Sequence, residues 1–232
     1  MREGVTSTRL GLRGMPGAAE SVCVARDVQL AELTGARLHV AHLSAKASLE
    51  QVRWAKSRGL RVSCEVTPHH FTLIDEDVEY DSKFKMNPPL AAREDREALL
   101  AGLADGTVDA IATDHAPHEP ALKDVEFDRA PFGILGFETA LALALEQLVN
   151  SGRLSLMRIV ELFTAGPARV LGIERKIAAG QPADLTIFST DRAWTYSVKD
   201  SPSKSRNSPF DGRTFKGGPI ATIVAGHLVY KH

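Results

Sequence analysis

Between residues 17 and 35 the apolar positions of AAESVCVARDVQLAELT recur at helical intervals and stop at Gly35, a residue suited to the left-handed turn that closes a helix. The next nine residues, ARLHVAHLS (36–44), alternate instead, with Leu38, Val40 and His42 on one face and His39 and Ala41 on the other, the period of a strand. Ser48 and Gln51 stand in the Ser-x-x-Gln relation of a capping box, which predicts a helix opening there and ending near Gly59. RVSCEV (61–66) predicts a second strand, running into Thr67, Pro68, His69 and His70. After the proline-containing loop KMNPPL, residues 93–103 predict a helix, and residues 107–113 a third strand that ends on Asp114. Strands alternating with helices predict an α/β architecture with a parallel sheet.

Beyond Leu135 the pattern predicts two helices, GFETALALALEQLVNSG and SLMRIVELFTAGPARVLG, broken at Gly152. From Pro182 onward it changes: ADLTIFST and ATIVAGHLVY are strand-like, separated by SVKDSPSKSRNSPFDGRTFKGG, a tract with no helix-length apolar pattern. The expected organisation is an α/β region over residues 1–175 and a small β-subdomain over 176–232. The chain has no internal repeat and no long low-complexity tract.

Charge narrows the function. Twenty-eight basic against twenty-nine acidic side chains leave a formal net charge of −1, so there is no electrostatic footprint for nucleic acid or an anionic membrane, and a small-molecule partner is expected. Apolar runs such as ALALAL (140–145) fall far short of the ~20 residues a membrane span requires, and the N-terminus has no apolar leader, so a cytoplasmic location is expected. Cys23 and Cys64 form no Cys-x-x-Cys pair and are expected as free thiols packed as small core residues.

In all three strand–helix units the polar residues of interest fall at the strand's C-terminal end: His42, then His69 and His70, then Asp114 in ATDHAPH. Active sites of β/α barrels and open α/β sheets are assembled at that end. A strand-end Asp-His pair standing alone is more often a cap or a surface polar pair, and a lone histidine on an apolar strand is usually a hydrogen-bonded core residue. Convergence of three strand ends changes the weighing. Metal-assisted hydrolysis needs nitrogen and oxygen ligands from several strands and a carboxylate that accepts a proton from the attacking water, and His42 and Asp114 suit those needs. His69 and His70 face opposite sides if the strand continues through them, so at most one would face the site.

The strings STRLGLRGMPGAAE, HVAHLS, EVTPHH, KMNPPL, DGTVDAIATDHAPH, APFGILGFET and GQPADLTIF together resemble the class I zinc-dependent dihydroorotases of the amidohydrolase superfamily, across nearly the whole chain. Hydantoinases and allantoinases share the barrel and the NPP-like turn, but TDHAPH with PFGILGFET resembles dihydroorotase in particular. The resemblance implies a partial (β/α)8 TIM-type barrel, strands six to eight with their helices, plus part of a C-terminal β-sandwich subdomain. It implies that His42 binds metal at the end of the sixth strand, and that Asp114, on the eighth, binds metal and serves as general acid and base. It implies substrate contacts from Asn87 and His118 and a loop over the substrate at Phe132 and Gly133. The cofactor would be zinc, one or two ions in the complete enzyme. The reaction would be the reversible cyclisation of N-carbamoyl-L-aspartate to L-dihydroorotate in de novo pyrimidine synthesis. For His69, His70 and His115 it implies no role, and hydrogen-bonding support of the loops is expected.

The first five strands of that family pattern have no counterpart here, nor do the HxHxR motif, the bridging aspartate, the strand-five histidine and the arginine for the substrate carboxylate. A catalytic zinc takes three protein ligands and an open position, and only two remain. The expectation is therefore a C-terminal portion, inactive in isolation, with an unpaired sheet edge at residues 36–44 and a partner in the missing N-terminal half. Two other readings stay open: a non-catalytic dihydroorotase-like partner of aspartate carbamoyltransferase, and a hydantoinase- or allantoinase-like hydrolase.

Overall fold

Leu38–Val40 (β1), Val62–Val66 (β2) and Ala110–Ile111 (β3) lie side by side in chain order as a parallel sheet, with Leu38 opposite Val62 and Glu65 opposite Ala110. This computed structural model describes residues 1–174 and 176–231. Two helices, Val5–Leu10 (α1) and Ala18–Thr34 (α2), precede β1; Lys46–Ser57 (α3) and Arg93–Asp105 (α4) make the connections to β2 and β3. The parallel α/β arrangement expected from the alternation is present.

Alternation along β2 sets its two faces. Val62, Cys64 and Val66 are buried against Val24 and Val28 of α2, Leu49 and Val52 of α3, and Leu99 and Leu103 of α4. Ser63 and Glu65, half-buried, face the other way, where the His39 ring lies 2.8 Å from Ser63 Oγ through Nδ1 and 3.1 Å from Glu65 Oε2 through Nε2. The Cys64 thiol, pushed up to about 12 by burial, packs as expected, but Cys23 is exposed on α2 rather than in the core.

The strands are shorter than the apolar pattern predicts. At β3 the cause is Asp109, whose carboxylate accepts from Cys64 N at 2.8 Å and from Lys56 Nζ at 2.6 Å. A side chain thus takes a backbone donor of β2, and regular pairing begins one residue later, at Ala110.

The capping box expected at Ser48 is absent. α3 begins at Lys46, and Ser48 is buried in its first turn with no hydrogen-bond partner for its hydroxyl among the described residues. Carboxylates from other helices cap the start instead. Glu20 of α2 accepts from Ser44 N and Ala45 N, both at 3.1 Å, and Asp95 of α4 accepts from Lys46 N at 2.8 Å. Negative charge there also suits the positive end of the helix dipole.

Both long helices expected after residue 135 are interrupted. A four-residue helix, Pro120–Lys123 (α5), comes first; then Ala140–Ala144 (α6) runs into a π-helical turn at Leu145–Asn150. The second expected helix divides at Thr164 into Leu156–Phe163 (α7) and Ala165–Leu171 (α8). Pro167 falls in the first turn of α8, where its missing N–H costs nothing. Gly166 lets that turn press onto β3, since a Cβ there would lie 2.0 Å from the Asp109 carbonyl oxygen.

The tail forms an antiparallel sheet of Leu185–Thr195 (β4), Thr214–Val224 (β5) and His227–Lys231 (β6). ATIVAGHLVY is two strands rather than one, turning at Ala225 and Gly226, whose φ values of 48° and 83° match the turn that joins tight hairpins. The tract before β5 folds back on the rest of the chain: Tyr196, Val198, Phe210 and Phe215 share a second core with Met86, Leu90, Phe127, Ile134 and Leu143. Among the described residues no helix is long and apolar enough to cross a membrane.

Candidate active site

Both expected metal ligands occupy strained backbone just past a strand. His42, with φ of 38°, follows β1, and Asp114, with φ of 45°, follows β3; among the described residues the other non-glycine with positive φ is Ala225 in the hairpin turn. Such a conformation costs about 1–3 kcal/mol and persists where the surroundings impose it. It also ends the alternation that would have kept His42 on the face of Leu38 and Val40. Burial raises the half-buried Asp114 carboxyl above the usual carboxylate range; His42 lies near enough to oppose the rise and Glu65 to add to it.

His69 and His70 do not point to opposite faces. β2 stops at Val66 and residues 67–70 turn, so both imidazoles are buried on one side with ring centroids 4.4 Å apart. Burial first, then His70 and His42, holds His69 well below the ordinary histidine range, which keeps it neutral. His70 is brought down to about 4, chiefly by burial. Its Nε2 donates to the Pro88 carbonyl at 2.8 Å and its Nδ1 accepts from Thr67 Oγ1 at 2.8 Å, so it underpins the turn that carries Asn87.

A zinc ion takes imidazole nitrogen and carboxylate oxygen, and the pair offers both. His42 Nδ1 is buried without a hydrogen-bond partner among the described residues, as an open donor should be. The types fit and the number falls short: among the described residues no three His, Cys, Asp or Glu side chains group to hold a metal.

The loops expected at the substrate are bonded to one another. Gly133 N donates to the Lys85 carbonyl at 2.9 Å, joining the PFG turn to the loop of Asn87. His118 Nε2 donates to the Phe132 carbonyl at 2.7 Å, which fixes the tautomer and leaves Nδ1 as an acceptor. Glycine is required at position 133: φ is 127°, and a Cβ would lie 2.5 Å from Ala116 Cβ and 3.0 Å from His118 Nε2. Asn87 is exposed and its amide makes no hydrogen bond among the described residues, leaving it available to a ligand. His115 supports the following turn, its Nδ1 accepting from Gly136 N at 3.1 Å and its ring stacked 3.9 Å from that of Phe137.

The amidohydrolase family profile matches residues 12–229. This chain belongs to the amidohydrolase family. The amidohydrolase is 56% identical to a dihydroorotase of Solibacter usitatus, over 98% of this chain and 54% of that protein. It is 48% identical to a dihydroorotase of Desulforapulum autotrophicum, over 100% of this chain and 54% of the relative. It thus spans about half the length of the curated relatives it matches. Among solved structures, a D-hydantoinase (dihydropyrimidinase) from Thermus sp. superposes with a TM-score of 0.84 at 30% identity, covering 93% of this chain and 49% of that one. An L-hydantoinase (dihydropyrimidinase) from Arthrobacter aurescens superposes with a TM-score of 0.86 at 32% identity, covering 91% and 48%.

Two residues of this amidohydrolase that sequence reasoning passed over also hold the loops. Lys123 Nζ donates to the carbonyls of Pro131 at 2.9 Å, Gly133 at 3.1 Å and Lys85 at 3.4 Å; burial, with Lys85 adding to it, lowers its pKa to about 8. Asn207, from the tract before β5, donates to the carbonyls of Ala116 at 2.9 Å and Gly133 at 3.0 Å. Neither carries a local signal. Lys123 sits in an ordinary charged stretch, and Asn207 in a Ser- and Pro-rich tract composed like a solvent loop.

Proposed function

We propose that this amidohydrolase chain is the C-terminal portion of a dihydroorotase, the enzyme that interconverts N-carbamoyl-L-aspartate and L-dihydroorotate. The observation that carries the reading is 56% identity to the Solibacter usitatus dihydroorotase over 98% of this chain. The bonding of the Asn87, His118 and Phe132 loops to one another supports it. On this reading β1, β2 and β3 are strands six to eight of a (β/α)8 barrel, with β4 to β6 part of a β-sandwich, and the enzyme is cytoplasmic.

His42 and Asp114 would hold zinc together with donors from outside this chain. Zinc held there would supply Lewis acidity to the ring carbonyl and would acidify water, bringing its pKa towards ~7. Asp114 takes the proton of the attacking water and delivers it to the leaving ring nitrogen, a role suited to a carboxyl whose pKa burial has raised. Asn87 donates and accepts through its free amide, and His118 Nδ1 accepts a substrate N–H. Phe132, 44% exposed with Lys85 Nζ 4.9 Å from its ring, and Gly133 cover the substrate. With two metal donors, the chain alone is inactive.

Hydantoinase chemistry is the second reading, favoured by the superpositions. The test is to express the chain alone and together with the N-terminal half of the Solibacter usitatus dihydroorotase, with zinc present, and to assay both substrates. Cyclisation of N-carbamoyl-L-aspartate by the pair, lost in Asp114→Ala, is expected. Hydantoin hydrolysis without dihydroorotate hydrolysis would replace this reading with the second. Turnover by the chain alone would refute the inactivity.

A further inference from the structure

Asn207 is 3% exposed and spends its side-chain amide and its backbone carbonyl on the loops of the candidate site. Its two amide protons go to the carbonyls of Ala116 and Gly133, its Oδ1 accepts from His118 N at 3.4 Å, and its own carbonyl accepts from Leu135 N at 3.0 Å. The side-chain partners lie on the His118 loop and in the Phe132–Gly133 turn, 74 to 91 residues away in the chain. The segment around it is itself tied down. Arg206 Nη1 donates to the carbonyls of Ser203 and Ser205, and Ser201, Ser205 and Ser208 are buried beside it.

We infer that Asn207 is a positioning residue for substrate binding: its amide sets the spacing between His118 and the Phe132–Gly133 turn, so the C-terminal segment controls the affinity of a site whose chemistry lies elsewhere in the chain. The inference rests on the dihydroorotase reading for the identity of the substrate and on the hydrogen bonds alone for the placement. A planar amide is the group the position demands. Two carbonyls and the His118 N–H face the position, and asparagine supplies two donors and one acceptor to them in a fixed fork. Lys123 also donates to the Gly133 carbonyl, so removal of Asn207 loosens the turn without releasing it.

The variants are Asn207→Ala, which removes all three side-chain bonds, and Asn207→Asp, which keeps the shape and the acceptor but sets an oxygen against two carbonyls. In the 232-residue chain, long-range proton–nitrogen NMR of the His118 ring is expected to show one tautomer, with the proton on Nε2. In both variants a mixture of tautomers is expected, with amide exchange about tenfold faster at Ala116 and Gly133 and unchanged at Val52 and Leu99. In the pair with the Solibacter usitatus half, KM for dihydroorotate is expected to rise about tenfold while kcat stays within about twofold. An unchanged His118 tautomer, or exchange that quickens equally at Val52 and Leu99, would overturn the inference. Local NMR changes in a pair that turns over no dihydroorotate would support the placement and remove the dihydroorotase reading.

Discussion

His118 donates from Nε2 to the carbonyl of Phe132 at 2.7 Å, which makes one hydrogen-bonded unit of two residues that lie 14 positions apart and were expected at the substrate separately. His118→Ala removes both the Nδ1 acceptor and the support of the Phe132 turn. In the completed enzyme, loss of one or two such bonds is expected to raise KM about 10- to 100-fold. Steady-state kinetics on dihydroorotate measures it, and an unaltered KM would remove His118 from the site.

Gly166→Ala sets two rules against each other. Helix propensity alone favours alanine by about 1 kcal/mol. The contact predicts the reverse, because a Cβ at 2.0 Å from the Asp109 carbonyl forces α8 off β3. The expected net result is a loss of about 1–3 kcal/mol, the usual scale of overpacking. Urea unfolding decides it, and a higher midpoint in the variant would show that α8 yields freely.

Glu20→Ala takes away the carboxylate that receives Ser44 N and Ala45 N. The expected destabilisation is about 1–2 kcal/mol, as for a lost helix cap. Glu20→Gln, which keeps one carbonyl acceptor, is expected to cost less. Thermal unfolding of the two variants tests the ranking, and equal melting temperatures for Glu20→Ala and the unsubstituted chain would mean that α3 does not need this cap.

Lys123 gives stability a pH dependence whose sign follows from its lowered pKa. The folded value is about 8 and the unfolded value ~10.4, so between the two the unfolded chain holds a proton that the folded chain has released. Stability contributed by this group therefore rises with pH across that window, and the penalty is present in full below about 8. The side chain is 7% exposed, and the rise across this window is expected to be about 1–3 kcal/mol. Urea midpoints of the chain and of Lys123→Met between pH 7 and pH 10.5 should diverge upward for the lysine form; parallel curves would mean that Lys123 keeps its proton throughout.

Periodicity located β1, β2 and β3 and the α2, α3 and α4 helices, because their apolar faces meet one core, but it merged β5 and β6 into one segment. It misplaced ends wherever a side chain from elsewhere replaced a backbone partner: the carboxylates of Glu20 and Asp95 start α3 two residues before Ser48, and the Asp109 carboxylate delays β3. The α7–α8 break was legible only in part. Gly166 and Pro167 were in view, but the Asp109 carbonyl that needs the glycine was not. His42 and Asp114 could be read from their places at strand ends. The role of Asn207 could not, since its partners stand 89 and 91 residues away and its own neighbourhood looks like a linker.

The 89 residues between His118 and Asn207 also set a clock. At about 5–20 residues per second, a ribosome takes roughly 4–18 s to pass from one to the other. For the last 74 residues of that stretch the sheet, laid down in chain order, can already be formed while the Phe132–Gly133 turn is held without Asn207, by His118, Lys123 and the Lys85 carbonyl. The nascent protein therefore passes through a stage with its scaffold built and its binding loops still unlatched, and a chaperone or protease that reads loose loops has those seconds in which to act.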